Sequence, residues 1–373
     1  MSVVESSQSQ TVLWQSEGVP ETMAAAVYRG EGRIAVERVD TPVIGAGELL
    51  VEVRSCGVCH TDLKKIEYNL LPAPRIYGHE TAGIVVGVGD GVSKFSIGDR
   101  VVAFHHVPCR TCFYCDRRLY AQCPVYKRVG ITAGFEPAGG GFAQYVRVMD
   151  WVVDQGVERV PAGVSFDQAC WVEPLNTCLK GVELSQLAPR DVVVVLGQGP
   201  IGLLFTMLVK RTGAQVFTSD TIAFRRELSE ELGASAALDP REKRFEHVLQ
   251  SATDGRGADA VIVATSAPGL VDQALRISRP GAKILLFAQT NSRERIELSG
   301  AAICVGERTL LGSYSADIDL QAESARLVFD HELPLERLIS HRMPLNDIQR
   351  AFSIASRPDE RSLKVVVHPQ EQS

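Results

Sequence analysis

The sequence predicts a two-domain α/β protein, with a mainly β domain and a doubly wound parallel-sheet domain. Three observations predict it. Short β-like runs broken by glycines occupy residues 23 to about 153. From Asp191 onward, apolar runs alternate with helical stretches. A glycine-rich turn, Gly197-Gln198-Gly199-Pro200-Ile201-Gly202, follows directly on the wholly apolar run Val192–Leu196. Alternation of this kind places helices on both faces of a parallel sheet. The 373 residues also exceed one ordinary domain.

The elements follow in order. Residues 1–22 are rich in Ser, Gln and Glu and read as a tail, either mobile or strapped onto a neighbouring subunit. Residues 23–176 form the first domain, with strands expected over 49–53, 82–88, 100–103 and 141–148. Residues 105–124 are a cysteine-rich lobe within it, bracketed by Pro108 and Pro124. After Pro161 helical runs appear at 166–170 and 178–184. Residues 177–314 form the parallel-sheet domain. Its strands are expected at 192–196, 215–219, 260–264, 283–288 and 309–312, and its helices at 201–212 and 223–232. Residues 315–373 carry two helical segments and a last strand, 363–367, that returns to the first domain.

Bulk properties exclude several classes. Formal net charge is -6, from 45 acids against 39 bases, so no basic surplus exists to neutralise nucleic-acid phosphates. The first twenty residues have neither the basic start nor the apolar core of a signal peptide. Residues 192–209 carry no charge and touch the length of a membrane span. Gly197, Gly199 and Pro200 interrupt that run, which suits a buried strand followed by a buried helix, so no membrane is expected. Nine cysteines, an odd number with four of them clustered, favour metal ligation in a reducing cytoplasmic setting over disulfides.

The glycine turn has the spacing of a dinucleotide phosphate loop. Gly197 permits the tight turn, Gly199 lets backbone approach a pyrophosphate, and Gly202 lets the helix pack on the strand. Pro200 and Ile201 open that helix, whose N-terminus offers free N–H groups to the anion. Asp220 ends the next strand. A carboxylate there can accept bonds from ribose hydroxyls and repel a 2′-phosphate, which favours NAD over NADP. Arg225 is expected along the adenine edge and Arg226 in solvent. The bland reading, a glycine turn without ligand, leaves the strand, the spacing and Asp220 unexplained.

Cys109, Cys112, Cys115 and Cys123 stand in a C-x2-C-x2-C-x7-C pattern. Four thiolates make a closed, structural zinc site. A redox dithiol lacks its usual context here, and a nucleic-acid ribbon lacks basic flanks. Cys59, His79, Glu80 and Glu173 lie far apart and can meet only through the fold. Each alone reads as readily as core packing. Together they form a Cys/His/Glu set with room for substrate, where zinc lowers the pKa of a bound oxygen to roughly 7.

The sequence resembles the zinc-containing medium-chain dehydrogenase/reductase family over residues 23–368, and within it the sorbitol and threonine dehydrogenase branch. The motifs are GVCHTD at 57–62, GHETAG at 78–83, GDRV at 98–101, the four-cysteine lobe, GGFAQY at 140–145, EPL at 173–175 and GQGPIG at 197–202. The resemblance implies a GroES-like catalytic domain around a Rossmann domain. It also implies two zinc ions per chain, NAD, and a homodimer or homotetramer. Cys59 and His79 then ligate the catalytic zinc, with Glu80 or Glu173 as the third protein ligand. Thr61 takes the alcohol proton, and His60 lies toward the cofactor phosphates.

This chain departs from the family pattern at three places. Lys64 stands where many relatives end the proton relay in histidine, so beyond Thr61 either Lys64 or water passes the proton. Arg110 stands where glycine usually follows the first lobe cysteine. His106, three residues before Cys109, matches a histidine of threonine dehydrogenases near the catalytic metal, and is read either as touching substrate or as a surface loop residue. The expected function is hydride transfer from a secondary alcohol, on a polyol, sugar alcohol or hydroxy amino acid, to NAD. The rival readings are a reductase of an aldehyde or ketone, and a catalytically idle nucleotide-binding protein. Pocket walls are expected on residues 64–75 and 130–139.

Overall fold

The computed structural model describes residues 14–15, 18–129, 139–242, 244–288, 295–357 and 361–371. Most of the expected tail and nearly all of the pocket wall expected at 130–139 lie outside them.

The second half of the chain builds a six-stranded sheet whose strands are all parallel. Its order is Ala236–Leu238, Gln215–Ser219, Val192–Leu196, Ala258–Val263, Ser278–Leu286, Thr309–Gly312. Numbered along the chain, that order is 3-2-1-4-5-6, which opens a ligand crevice beside the first strand. Val192–Leu196 is buried along its whole length. Val193 and Val195 join one apolar cluster with Leu203 and Phe205, while Val194 and Leu196 join another with Val261 and Ile284. Both faces are covered, so the run carries no polar alternation. Each such side chain contributes roughly 1.5–3 kcal/mol by leaving water.

The first half builds an eight-stranded sheet. Its main path runs Ile339–Pro344, Lys364–His368, Leu49–Gly57, Glu80–Gly89, Arg100–Ala103, Val157–Arg159. A separate three-stranded sheet, Arg33–Asp40, Thr22–Gly30 and Arg75–Ile76, packs against it, with Ala25 and Val27 sharing a core with Leu50 and Tyr145. Val366 pairs with Gly57 and Val367 with Cys56, so the last strand returns to the first half as the sequence predicts. The parallel partner strand Ile339–Pro344 was not expected. Neither were strand Ala236–Leu238 and helix Arg244–Ala252.

One element differs usefully from expectation. The helix expected at 178–184 is Val172–Ser185, which passes unbroken through the division expected after residue 176. Pro174 conceals its start in the sequence, yet proline is tolerated in a first helical turn because no intrahelical N–H bond is lost. That earlier start puts Glu173 on a rigid, buried helix end rather than on a loop.

Candidate active site

Two groups of side chains that could hold a metal ion stand out. Sγ atoms of Cys109, Cys112, Cys115 and Cys123 all lie within 4.8 Å of one another. The lobe is built from short turns, with Cys109 N–H donating to Cys123 Sγ at 3.4 Å. Arg110 takes the left-handed φ of 63° that glycine would adopt freely. Its side chain is tied down by bonds to Gln155 Oε1 and Asp319 Oδ1, both at 3.1 Å. Arg118 and Tyr120 also converge on Asp319, at 2.7 Å and 3.0 Å, docking the lobe against the segment that follows the parallel sheet.

The second group is assembled from three elements. Strand Leu49–Gly57 leads to Cys59, which caps helix His60–Glu67, its sulfur accepting Thr61 N–H at 3.4 Å. The helix therefore starts at His60 under a cysteine cap. His79 and Glu80 open strand Glu80–Gly89 from the other side, and the ligand atoms of Cys59, His79 and Glu80 lie within 4.8 Å of one another. Gly57 leaves the space this needs, since a Cβ there would stand 1.9 Å from Glu80 Oε2.

Each donor is oriented by a neighbour. His79 Nδ1 bonds Asp62 Oδ1 at 3.1 Å, leaving Nε2 for a ligand. Burial disfavours charge on this ring, but Asp62 and then Cys59 push its pKa well up, so the site calls for positive charge between sulfur and imidazole. Lys364 from the final strand pairs with Glu80 in the interior; burial opposes its charge, but Glu80, Cys59 and Glu173 together raise the lysine pKa. Glu173 Oε1 accepts from His106 Nε2 at 2.6 Å. His106 Nδ1 accepts from Ser315 at 2.6 Å, and Ser315 accepts from Tyr126 at 2.7 Å. Burial pushes the His106 pKa down; burial also opposes charge on Glu173, but His106, His79 and Lys364 together pull the Glu173 pKa down. The pair is thus a neutral donor on an ionised carboxylate. His106 is buried with both nitrogens engaged, and it reaches the metal group through Glu173.

The decisive geometry is that one cleft of ≈ 330 Å³ contains both this group and the phosphate loop, within the size of small-molecule sites. Cys59, His79 and Glu173 line it together with Gly197, Ile201 and Asp220. Gly197 turns at φ 90°, and a Cβ on Gly202 would stand 1.9 Å from Gly197 O, so helix Pro200–Arg211 can approach the strand only through glycine. Asp220 Oδ2 accepts Gln198 N–H at 2.7 Å and Oδ1 accepts Ile222 N–H at 2.8 Å, which fixes the carboxylate beside the loop.

Residues 45–156 match the alcohol dehydrogenase GroES-like domain, and residues 200–329 match the zinc-binding dehydrogenase domain. The L-threonine 3-dehydrogenase of Pyrococcus horikoshii is 30% identical over 320 residues, covering 84% of this chain and 88% of that protein. This chain belongs to the zinc-containing medium-chain dehydrogenase/reductase family. The sorbitol dehydrogenase of Bacillus subtilis is 27% identical over 364 residues, 94% of this chain and 98% of that protein. A zinc-binding dehydrogenase of Sinorhizobium meliloti bound to NADP has a TM-score of 0.83 at 29% identity, covering 94% of this chain and 100% of that one.

This dehydrogenase therefore uses zinc and a nicotinamide dinucleotide to act on small-molecule alcohols. Its donor sets suit the metal: a four-thiolate shell in the lobe, and sulfur, imidazole and carboxylate in the cleft. Among the described residues, no helix is long and apolar enough to cross a membrane.

The other expected residues fall as follows. His60, Thr61 and Lys64 line the cleft from one helix. His60 is accessible there yet crowded. Burial by the cleft walls, then Lys364, Lys64 and Arg225, push its pKa down to about 4. Arg225 Nη2 donates to Ser362 O at 2.8 Å and Nη1 lies 3.9 Å from Asp220 Oδ2, so it ties the C-terminal segment to the cleft beside Asp220. Arg226 is not solvated as expected. It donates to Asp220 O at 2.8 Å and lies 3.4 Å from Asp239 Oδ2, because the turn after Asp220 folds back over it.

Sequence reasoning missed His105, Asp62, Lys364 and Ser315. Asp62 and His105 were visible as polar neighbours of expected ligands. Lys364 and Ser315 carried no local signal.

Proposed function

We propose that this dehydrogenase oxidises a secondary alcohol carried on a polyol, a sugar alcohol or a hydroxy amino acid, with NAD as hydride acceptor. The observation that carries the reading is the shared cleft: Cys59, His79 and Glu173 face the same cavity as Gly197, Ile201 and Asp220. Relatives named for sorbitol, threonine and arabinitol support the substrate class.

Cys59, His79 and a carboxylate, Glu80 or Glu173, would hold the catalytic zinc, and Cys109, Cys112, Cys115 and Cys123 the structural one. Zinc, when bound, polarises the substrate hydroxyl and lowers its pKa. Around it the chain does the rest. Thr61 accepts the hydroxyl proton and passes its own onward. Lys64, three residues along the same helix face, is the outlet. NAD, when bound, would supply the acceptor for the hydride that the carbinol carbon loses. Gly199, Pro200 and Ile201 would hold the pyrophosphate at the helix N-terminus, with His60 toward it and Arg225 along the adenine edge. Asp220 binds the ribose hydroxyls and opposes a 2′-phosphate. His106 fixes the rotamer of Glu173. The edge strand Thr309–Gly312 offers unpaired backbone for a second copy, consistent with a homodimer or homotetramer in the cytoplasm.

The test is a panel of polyols, sugar alcohols, hydroxy amino acids and simple primary alcohols, read by NADH absorbance. The reading predicts that one of the first three classes exceeds the primary alcohols by about ten-fold or more in kcat/KM, the scale of one extra hydrogen bond to a substrate hydroxyl. Equal activity on plain primary alcohols would overturn it.

A further inference from the structure

We infer that His105 is an additional protein ligand of the metal in the cleft, through a second triad that shares His79 with the first. This rests on the reading of that cleft as a metal site.

His105 is 5% exposed, and neither of its ring nitrogens has a hydrogen-bond partner. Its neighbour His106 has both nitrogens engaged, so the contrast lies between adjacent residues on one segment. An imidazole buried without partners keeps the full cost of stripping water from its polar nitrogens. A phenyl ring would fill the same space without that cost, so a histidine here calls for a partner that the chain does not supply.

The position says what the partner is. Ligand atoms of His79, His105 and Glu173 lie within 4.8 Å of one another, as those of Cys59, His79 and Glu80 do. His79 belongs to both triads. His105 also lines the cleft, with its ring centroid 5.3 Å from that of His79. Glu80 is already paired with Lys364 and Glu173 with His106. His105 is the donor beside His79 with no such engagement. Imidazole nitrogen is a normal zinc ligand at about 2.0–2.1 Å. The second triad has two imidazoles and a carboxylate but no sulfur, so it is the harder of the two donor sets. The ion can thus be held on the Cys59 side or drawn toward His105 and the substrate space.

The experiment uses the full-length enzyme with cobalt(II) exchanged into the cleft, comparing wild type with His105→Phe and His105→Asn. Metal affinity is measured by chelator competition, and the ligand field by the visible d–d bands. The four-cysteine ion and NADH binding report an intact fold. His105 ligation predicts that affinity falls by about ten-fold or more and that the d–d bands change in both variants, since even partners one shell further out change affinity by about that much. If affinity and bands match wild type while only the KM for the alcohol rises, His105 contacts substrate and the inference fails. A wild-type protein holding one ion, in the four-cysteine lobe, would overturn the metal reading of the cleft itself. The metal count therefore separates the two failures.

Discussion

The two metal groups in this chain solve opposite problems. The lobe gathers Cys109, Cys112, Cys115 and Cys123 from fifteen consecutive residues, and all four donors are the same atom type. The cleft gathers Cys59, His79, Glu80, His105 and Glu173 from a helix cap, a strand start, a connecting segment and a second helix. The first shell is closed by its own loop and leaves a metal nothing further to bind. The second is held by long-range packing, surrounded by Asp62, His106 and Lys364, and open to the space that the phosphate loop shares. A local, uniform donor set gives stability. A dispersed, mixed donor set gives reactivity, because each donor can be tuned by a different part of the fold.

The sharpest way to break this contrast is a paired substitution. Cys59→Ser should reduce kcat by about 10³-fold, because several kcal/mol of metal-assisted stabilisation is lost, while the NADH dissociation constant stays within about two-fold. Cys112→Ser should instead lower the thermal midpoint and leave the freshly folded enzyme active. Steady-state kinetics and thermal scans on the same preparations decide it. Equal kinetic damage from both would mean that the lobe, too, serves the reaction.

Thr61→Ala comes next in size. Loss of the proton acceptor should cost about 10²-fold in kcat, with Thr61→Ser close to wild type and NADH binding unaffected. If the alanine variant keeps full rate, the proton leaves by another path. Asp220→Ala should raise the KM for NAD by about ten-fold and narrow the gap between NAD and NADP, the scale of one or two ribose hydrogen bonds. An unchanged coenzyme ratio would separate Asp220 from selectivity.

The smallest effect tests whether the two groups are independent. Asp319 ties Arg110, Arg118 and Tyr120 of the lobe to the segment that carries Ser315, which bonds His106. Burial alone would raise the Asp319 pKa, but Arg118, Tyr120 and Arg110 hold it low. A carboxylate with a depressed folded-state pKa stabilises the fold above its unfolded value near 4, and that contribution is lost as pH falls through the folded value. Asp319→Asn should therefore cost about 1 kcal/mol at pH 7, with the difference from wild type shrinking below about pH 4. Denaturant curves at several pH values check this. A shift in kcat as large as that in stability would show that strain in the lobe reaches the cleft.

Legibility in the sequence follows the same division. The lobe and the phosphate loop are contiguous, so spacing alone carried their chemistry, and strands such as Gln215–Ser219 and Thr309–Gly312 fell where their apolar runs placed them. Cys59, His79 and Glu173 are separated by whole elements, and only family motifs brought them together on paper. Lys364 meets Glu80 because the last strand pairs with Leu49–Gly57, a register that no local pattern states. His105 looked like one of two histidines on a connecting segment. Only burial without a partner distinguishes it from His106. Arg226 was misplaced because a charged residue early in a helix is normally solvated, whereas here Asp220 O and the Asp239 carboxylate hold it.

The central claim is that a metal ion sits in the cleft beside the nicotinamide site, held by side chains that only the fold brings together. An anomalous difference map at the zinc absorption edge, from crystals of the enzyme with NAD, tests it most directly. The account predicts two peaks per chain, one within the four thiolates and one bonded to Cys59 Sγ and His79 Nε2. A single peak in the lobe, with density for the Cys59 and His79 side chains bridged by water alone, would contradict it.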